Sequence, residues 1–285
     1  MIPGELYPWT GDFHDVDGGR MHVVDEGPKD APVLLAVHGN PTWSFYWRAL
    51  IEHFAGRYRV VAVDHIGCGL SDKPQDWPYR LEGHVENLVK VVEELDLSDI
   101  TLVVHDWGGA IGMGAAERMP QRFGRIVVTN SAAFRSQAIP PSIACCRIPG
   151  FGAVAVRGFN GFAWAATWRT TVRPLSKEVK AGLTHPYDSW DNRIATLRFV
   201  EDIPMKPSHP SYQTLVDIED GLAALADKPM LVLWGEQDWC FTPEFRRQWE
   251  ARFPRAEVHA WQDVGHYVME DAPERVCEAI EAWTA

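Results

Sequence analysis

Four short apolar runs punctuate the first half of the chain, at residues 21–25, 33–37, 58–63 and 100–104. Each is rich in β-branched or aliphatic residues. The second, Val33-Leu34-Leu35-Ala36-Val37, has no polar position at all, the pattern of a central strand covered on both faces. Between the third and fourth runs, Val85, Leu88, Val89, Val92 and Leu95 recur at helical spacing, while Glu86, Lys90, Glu93 and Glu94 occupy the other faces. That spacing predicts an amphipathic helix. A second helix is expected over 107–119, followed by a strand at 126–129. Strands alternating with helices in this way predict an α/β fold with a mostly parallel central sheet flanked by helices.

The rhythm breaks from about residue 133 to 222, where prolines stand at 140, 141, 149, 174, 186, 204, 207 and 210 among many aromatics, with no clear buried strand. This segment is read as an inserted helical cap. The alternation resumes with a strand at 230–234 and a helix with Thr242 as N-cap and Pro243 at its first position. A strand at 257–260 comes next, then a last helix whose apolar face is Val276, Ala279, Ile280 and Trp283. The expected organisation is a core domain made of 1–132 and 223–285, with 133–222 as the cap. A length of 285 residues suits one large core with an inserted lobe better than two full domains.

Charge and composition narrow the partners. The formal net charge is −12 with no Lys/Arg block, which argues against nucleic acid. The most apolar long stretch, 151–168, is interrupted by Arg157, Asn160 and several glycines, so no membrane-spanning helix is expected. Met1-Ile2-Pro3-Gly4-Glu5 lacks the basic and apolar pattern of a secretory leader, and a cytoplasmic location is the expectation. The five cysteines (Cys68, Cys145, Cys146, Cys240 and Cys277) are odd in number without ligand spacing, and most are expected to be buried thiols. The eleven histidines form no HExxH pair, so no metal site is expected.

Val104-His105-Asp106-Trp107-Gly108-Gly109 falls where a buried strand meets a helix, the position at which α/β-hydrolases carry their nucleophile on a sharp turn. Here that position is Asp106. An Asp at a helix start is also a good N-cap, so the motif alone leaves both roles open. His38-Gly39-Asn40-Pro41 comes after the 33–37 strand, where this fold completes its oxyanion hole; Asp238 comes after the 230–234 strand, and His266 precedes the last helix. Nucleophile, acid and histidine thus appear in the chain order of the α/β-hydrolase fold.

Those motifs, together with Asp64-His65-Ile66-Gly67-Cys68-Gly69-Leu70-Ser71-Asp72-Lys73-Pro74 and Pro186-Tyr187-Asp188-Ser189-Trp190, resemble the haloalkane dehalogenase family over nearly the whole chain. Thr129-Asn130-Ser131 offers no carboxylate, so the resemblance is to the branch with Asp as acid after the seventh strand and an Asn plus Trp halide pair. It implies Asp106, His266 and Asp238 as the triad, Asn40 and Trp107 as halide donors, and the backbone N–H groups of the same two residues as the oxyanion hole. An alkyl halide has no carbonyl, so the first step must be displacement at carbon; a carboxylate leaves an ester that water, activated by a His base, can cleave. No metal or organic cofactor is needed for that chemistry. A departing halide in an apolar pocket needs donors, which an indole N–H and an amide N–H supply. The expected partners are a small apolar substrate, water and a halide product.

The β-lactone decarboxylases of olefin biosynthesis are similar enough to share the same Asp, His, Asp, Asn and Trp. Thr129-Asn130-Ser131-Ala132-Ala133-Phe134 and the stretches Asp191-Asn192-Arg193-Ile194 and Asp202-Ile203-Pro204 look at least as much like that group. Dehalogenation is the first expectation and β-lactone decarboxylation its alternative. Epoxide hydrolases resemble the frame less, since they place an aromatic where Asn40 stands. Fluoroacetate dehalogenases carry an Arg pair where this chain has Asp64-His65-Ile66-Gly67. A non-catalytic binding protein is disfavoured because every catalytic position is filled. His38 and His105 are expected to brace the loops beside the site. Phe134, Phe159, Phe162, Trp164, Trp168, Trp190 and Phe199 are candidates for a pocket between cap and core, and the 143–168 stretch is a candidate surface for self-association.

Overall fold

The computed structural model describes residues 4–285; Met1, Ile2 and Pro3, part of the N-terminal stretch read for a leader, lie outside the described residues. Its centre is a sheet of eight strands: β1 (Asp12–Val16), β2 (Gly19–Glu26), β3 (Val33–Val37), β4 (Arg59–Val63), β5 (Ile100–Asp106), β6 (Phe123–Ser131), β7 (Met230–Gly235) and β8 (Glu257–Trp261), in the spatial order β1-β2-β4-β3-β5-β6-β7-β8. The β1–β2 and β2–β4 pairs are antiparallel and all others parallel. Every residue of β3, β4 and β5 is buried, as the unbroken apolar runs require of strands covered on both faces.

Alternate side chains of these strands feed two cores. Leu35, Val37, Val61, Val63, Leu102 and Val104 pack under α2 (Leu81–Glu94) and α3 (Trp107–Arg118). Leu34, Ala36, Val60, Ala62 and Val103 meet α1 (Arg48–Phe54) and α11 (Pro273–Thr284) on the opposite face. Between β6 and β7 the chain runs through α4 (Pro141–Cys146), a π-helical turn (Ala153–Gly158), α5 (Gly161–Arg169), α6 (Lys177–Thr184), α7 (Ile194–Glu201) and α8 (Tyr212–Gly221), with no strand. The last of these, α8, also packs against α2 and α3. After β7 come α9 (Pro243–Arg252) and, beyond β8, the short α10 (Val268–Asp271). Among the described residues no helix is long and apolar enough to cross a membrane.

The expected elements are present, with ends shifted by a few residues: the helix read from Val85 begins at Leu81, and the strand read at 126–129 runs over Phe123–Ser131. One strand, β1, has no counterpart among the runs recognised in the sequence. It is an exposed edge strand, Asp-Phe-His-Asp-Val, so it lacks the apolar run by which the others announce themselves.

The sheet's C-terminal edge is organised by a fully buried carboxylate. Asp64, just past β4, accepts from His22 Nδ1 (2.9 Å), Ser44 N (2.6 Å) and Leu70 N (2.9 Å). Burial pushes Asp64 up, but the His22 and His38 imidazoles and the Leu70 N–H outweigh it and hold the carboxyl below its ordinary range. Burial pulls His22 down, and Asp64 overcomes that, so the imidazole titrates above its usual value. A raised folded pKa gives stability that is complete below the unfolded value of about 6.5 and fades as pH rises through the folded one. His22→Leu, which strands a buried carboxylate, is therefore expected to cost about 3 kcal/mol near pH 6 and less near pH 9 in urea unfolding; a deficit that grew with pH would contradict this account.

Candidate active site

The parallel strands end on one side of the sheet, and the site is assembled from the last residues of β5 and β6 and the segments just beyond β3, β7 and β8. Asp106, the last residue of β5, has φ 52° and ψ −125°, a conformation that L-residues rarely adopt, and α3 starts at the next residue. Holding a non-glycine residue there costs about 1–3 kcal/mol, so the surroundings must enforce it. Ser131 Oγ, at the end of β6, donates to the Asp106 carbonyl at 2.5 Å. Gly108 lets α3 press against β3: a Cβ added there would stand 2.0 Å from the Val37 carbonyl oxygen. Gly39 has the same role toward the side chain, since its Cβ would meet Asp106 Oδ1 at 2.1 Å. Asp106 makes no side-chain capping bond to α3, which removes the N-cap reading. Its carboxylate instead accepts the backbone N–H of Asn40 at 2.6 Å, and that of Trp107 also points to it.

His266 faces this carboxylate, Nε2 to Oδ2 at 3.8 Å, beyond direct hydrogen-bond reach. Its other nitrogen, Nδ1, donates to Asp238 Oδ2 at 2.8 Å. The three residues taken from sequence motifs thus converge in one buried cluster. Asp238 is itself held by the Cys240 N–H on Oδ1 (2.6 Å) and by Asn130 Nδ2 on Oδ2 (2.8 Å). Asn130 also exchanges bonds with Gly235, donating to its carbonyl at 3.0 Å and accepting from its N–H at 2.8 Å. In the sequence Asn130 stands out only for not being a carboxylate; in the fold its amide is the brace that orients the acid across β6 and β7. Phe241, which no motif marks, stacks on the His266 ring at 5.7 Å between centroids, with planes 19° apart.

His105 and His38 stand where bracing residues are needed. His105 Nε2 donates to the His266 carbonyl at 3.0 Å, and burial drives its pKa well below the usual value, which keeps it neutral. His38 Nδ1 donates to the Gly39 carbonyl at 2.6 Å, and its Nε2 accepts the His65 N–H at 3.1 Å. This pair fixes the loop that presents the Asn40 N–H.

Burial raises the Asp106 pKa despite the nearby His266 and the two backbone donors. Burial also acts to lower His266, but the charge and hydrogen bond of Asp238, with Asp106 behind them, carry it above its ordinary value. Both groups are thus shifted toward their protonated forms, Asp106 by burial and His266 by its carboxylate neighbours. The Asn40 amide is buried; Nδ2 donates to the Thr196 carbonyl of α7 at 3.1 Å, and Oδ1 has no partner among the described residues. Trp107 is half-buried against Phe199, with ring centroids 5.3 Å apart, and its indole N–H makes no hydrogen bond to the described residues.

Two cavities meet at the carboxylate. One, of about 140 Å³, is walled by Leu81, Trp107, Phe134, Val200, Leu215 and Phe245; the other, of about 310 Å³, by Cys146, Phe151, Ala166, Trp239, His266 and Tyr267. They share Asn40, Asp106, Ile143, Phe162 and Cys240. Of the aromatics proposed for the pocket, Phe134 and Phe162 line it, and Phe199 is buried behind Trp107. Phe159, Trp164, Trp168 and Trp190 instead point outward, 46–79% exposed, because both faces of this stretch are apolar and the pattern does not say which turns inward. Of the cysteines only Cys68 and Cys277 are buried, fewer than expected; Cys145 is exposed and Cys146 and Cys240 partly so. Among the described residues no group of three His, Cys, Asp or Glu side chains is placed to hold a metal ion.

The family model of the alpha/beta hydrolase fold matches residues 32–273. The chain is 42% identical to the cis-3-alkyl-4-alkyloxetan-2-one decarboxylase of Shewanella oneidensis, over 97% of this chain and 88% of that protein. It is 32% identical to a haloalkane dehalogenase of Mycolicibacterium paratuberculosis, over 98% and 94%. The crystal structure of a haloalkane dehalogenase from Bradyrhizobium elkani superposes with a TM-score of 0.85 at 27% identity, covering 95% of this chain and 96% of the other. The chain belongs to the α/β-hydrolase family, with haloalkane dehalogenases and cis-3-alkyl-4-alkyloxetan-2-one decarboxylases as its relatives there.

Since Asp238 is the chief source of the raised His266 pKa, Asp238→Asn is expected to bring the imidazole pKa below that of the wild type. An NMR titration of the His266 ring in both proteins checks this; equal values would mean that the pair is not electrostatically coupled.

Proposed function

We propose that the protein is a decarboxylase of cis-3,4-dialkyl-β-lactones, with Asp106 as nucleophile and the 133–222 segment as the cap over its substrate. The observation that carries this reading is the meeting of two separate apolar cavities at one carboxylate. A β-lactone of this class has alkyl chains on adjacent ring carbons, so two diverging arms fit it where a small haloalkane would leave one arm empty. The higher identity to the decarboxylase relative than to the dehalogenase one supports the same ordering, which reverses the first expectation from sequence.

The chemistry closes without a cofactor. An Asp106 oxygen attacks ring carbon 4 as the C4–O bond breaks, leaving an alkyl ester on Asp106 and a free carboxylate on carbon 3. The indole N–H of Trp107 and the side-chain N–H of Asn40, which would hold a halide in a dehalogenase, are suited to that carboxylate. The bond from carbon 3 to the carboxylate then breaks; its electron pair forms the C3=C4 double bond, CO₂ leaves, and the C4–O(Asp106) bond returns its pair to the aspartate. Backbone N–H groups of Asn40 and Trp107 on the ester oxygen favour this departure, as does an imidazolium at His266. Inversion at carbon 4 followed by anti elimination keeps the two alkyl groups cis.

Haloalkane dehalogenation is the second reading, favoured by the Asn40 and Trp107 side chains beside Asp106. There His266, held by Asp238, serves as base for the water that cleaves the ester. The discriminating experiment supplies purified protein with a synthetic cis-3,4-dialkyl-β-lactone and, separately, with bromoalkanes. The expected outcome is cis-alkene and CO₂ in equal amounts, falling by about 10³-fold or more in Asp106→Ala. Halide release without alkene, from folded wild type, would hand the function to dehalogenation.

A further inference from the structure

Among the described residues, all but one of the large exposed apolar side chains fall between residues 148 and 190; the exception is Phe13. Helix α5 illustrates the arrangement: Ala163, Ala166 and Thr167 face inward, while Trp164 and Trp168, one turn apart, are 61% and 57% exposed. Val154 and Trp190 approach each other across Gly158, and the turn that carries Val154 packs on α5, so the patch is continuous.

Charge separates this face from the remainder of the molecule. Residues 141–190 hold six Lys or Arg against two acidic residues, a net of +4, whereas the other 235 residues hold 21 against 37, a net of −16. Among the described residues Arg169, Arg173, Lys177 and Lys180 make no ion pair, and the Lys180 ammonium lies 3.0 Å from the centroid of the Trp168 ring. The larger cavity also reaches this face: Phe151, 56% exposed, and the exposed Arg169 both line it.

We propose that this face docks onto an anionic lipid bilayer, with Trp164 and Trp168 entering the headgroup layer and the unpaired cations meeting lipid phosphates. Exposed tryptophans flanked by Lys and Arg on a surface helix are what such an interface requires. A second copy of the chain is the poorer occupant, because a two-fold contact would set Arg169, Arg173, Lys177 and Lys180 of one copy against the same cations of the other. The docked protein would have its larger cavity facing the phase in which an apolar substrate accumulates, whichever of the two substrate classes it takes.

Flotation of the full chain with phosphatidylcholine vesicles, and with vesicles containing phosphatidylglycerol, tests this. Binding to the anionic vesicles is expected to exceed binding to the neutral ones by about tenfold or more, and to fall in high salt. Trp164→Ser/Trp168→Ser should lower binding to both, and Arg173→Glu/Lys177→Glu should abolish the preference for anionic lipid. None of these side chains lines a cavity, so turnover of a short, dispersed substrate should stay within about twofold of wild type and report that the variants are folded. Wild-type protein that stays unbound with both vesicles overturns the proposal. So does a concentration-dependent dimer that the Trp variant dissolves while vesicle binding is absent.

Discussion

The backbone at Asp106 is held in a conformation that its residue type disfavours, and most of the site can be read as the apparatus that keeps it there. The strained turn lifts the carboxylate clear of both the strand it ends and the helix it precedes. It survives because β3 approaches α3 closely enough to exclude a methyl group at Gly108, and because Ser131 bonds the carbonyl from the neighbouring strand. The same closeness brings the Asn40 N–H within 2.6 Å of the carboxylate, so the device that exposes the carboxylate also supplies it with a backbone donor. The strain and this contact have one cause here, the close approach of β3 to the end of β5 and the start of α3.

Around that turn, burial sorts chemically identical groups into different protonation states. His105 and His266 sit with ring centroids 4.6 Å apart, yet burial leaves the first neutral and two carboxylates favour charge on the second. Asp64 and Asp106 diverge in the same manner. Both are buried, but Asp64 is satisfied by an imidazole and backbone donors and held low, whereas Asp106, with fewer partners, is raised. The well-satisfied carboxylate organises structure; the less satisfied one faces the two cavities.

Much of this is legible in the sequence, for reasons that particular residues make clear. The strand Val33–Val37 has sharp limits in the residue pattern because it is buried on both faces and so has no polar position to blur it. Asp106, Asp238 and His266 stand out because each lies directly beside an element of the sheet, at a place the fold reserves for chemistry. Asn130 does not, because it acts through an amide at a position where a carboxylate is sought, and its partner lies 108 residues away. The aromatics between 159 and 190 cannot be assigned to the inside or the outside, for want of a polar face to orient their helices. The edge strand β1 has the converse problem, too little apolar surface to be recognised.

The two cavities at Asp106 differ in size by about a factor of two, 140 against 310 Å³. For a substrate whose arms are also unequal, this turns a difference of bulk into a difference of handedness. Mirror-image forms of a cis-disubstituted ring present their long and short chains on opposite sides of the carbon under attack. Only one form can place the long chain in the larger room while offering its ring carbon to the carboxylate from behind. This contribution to a chiral preference would then grow with the mismatch between the arms and fade as they become equal.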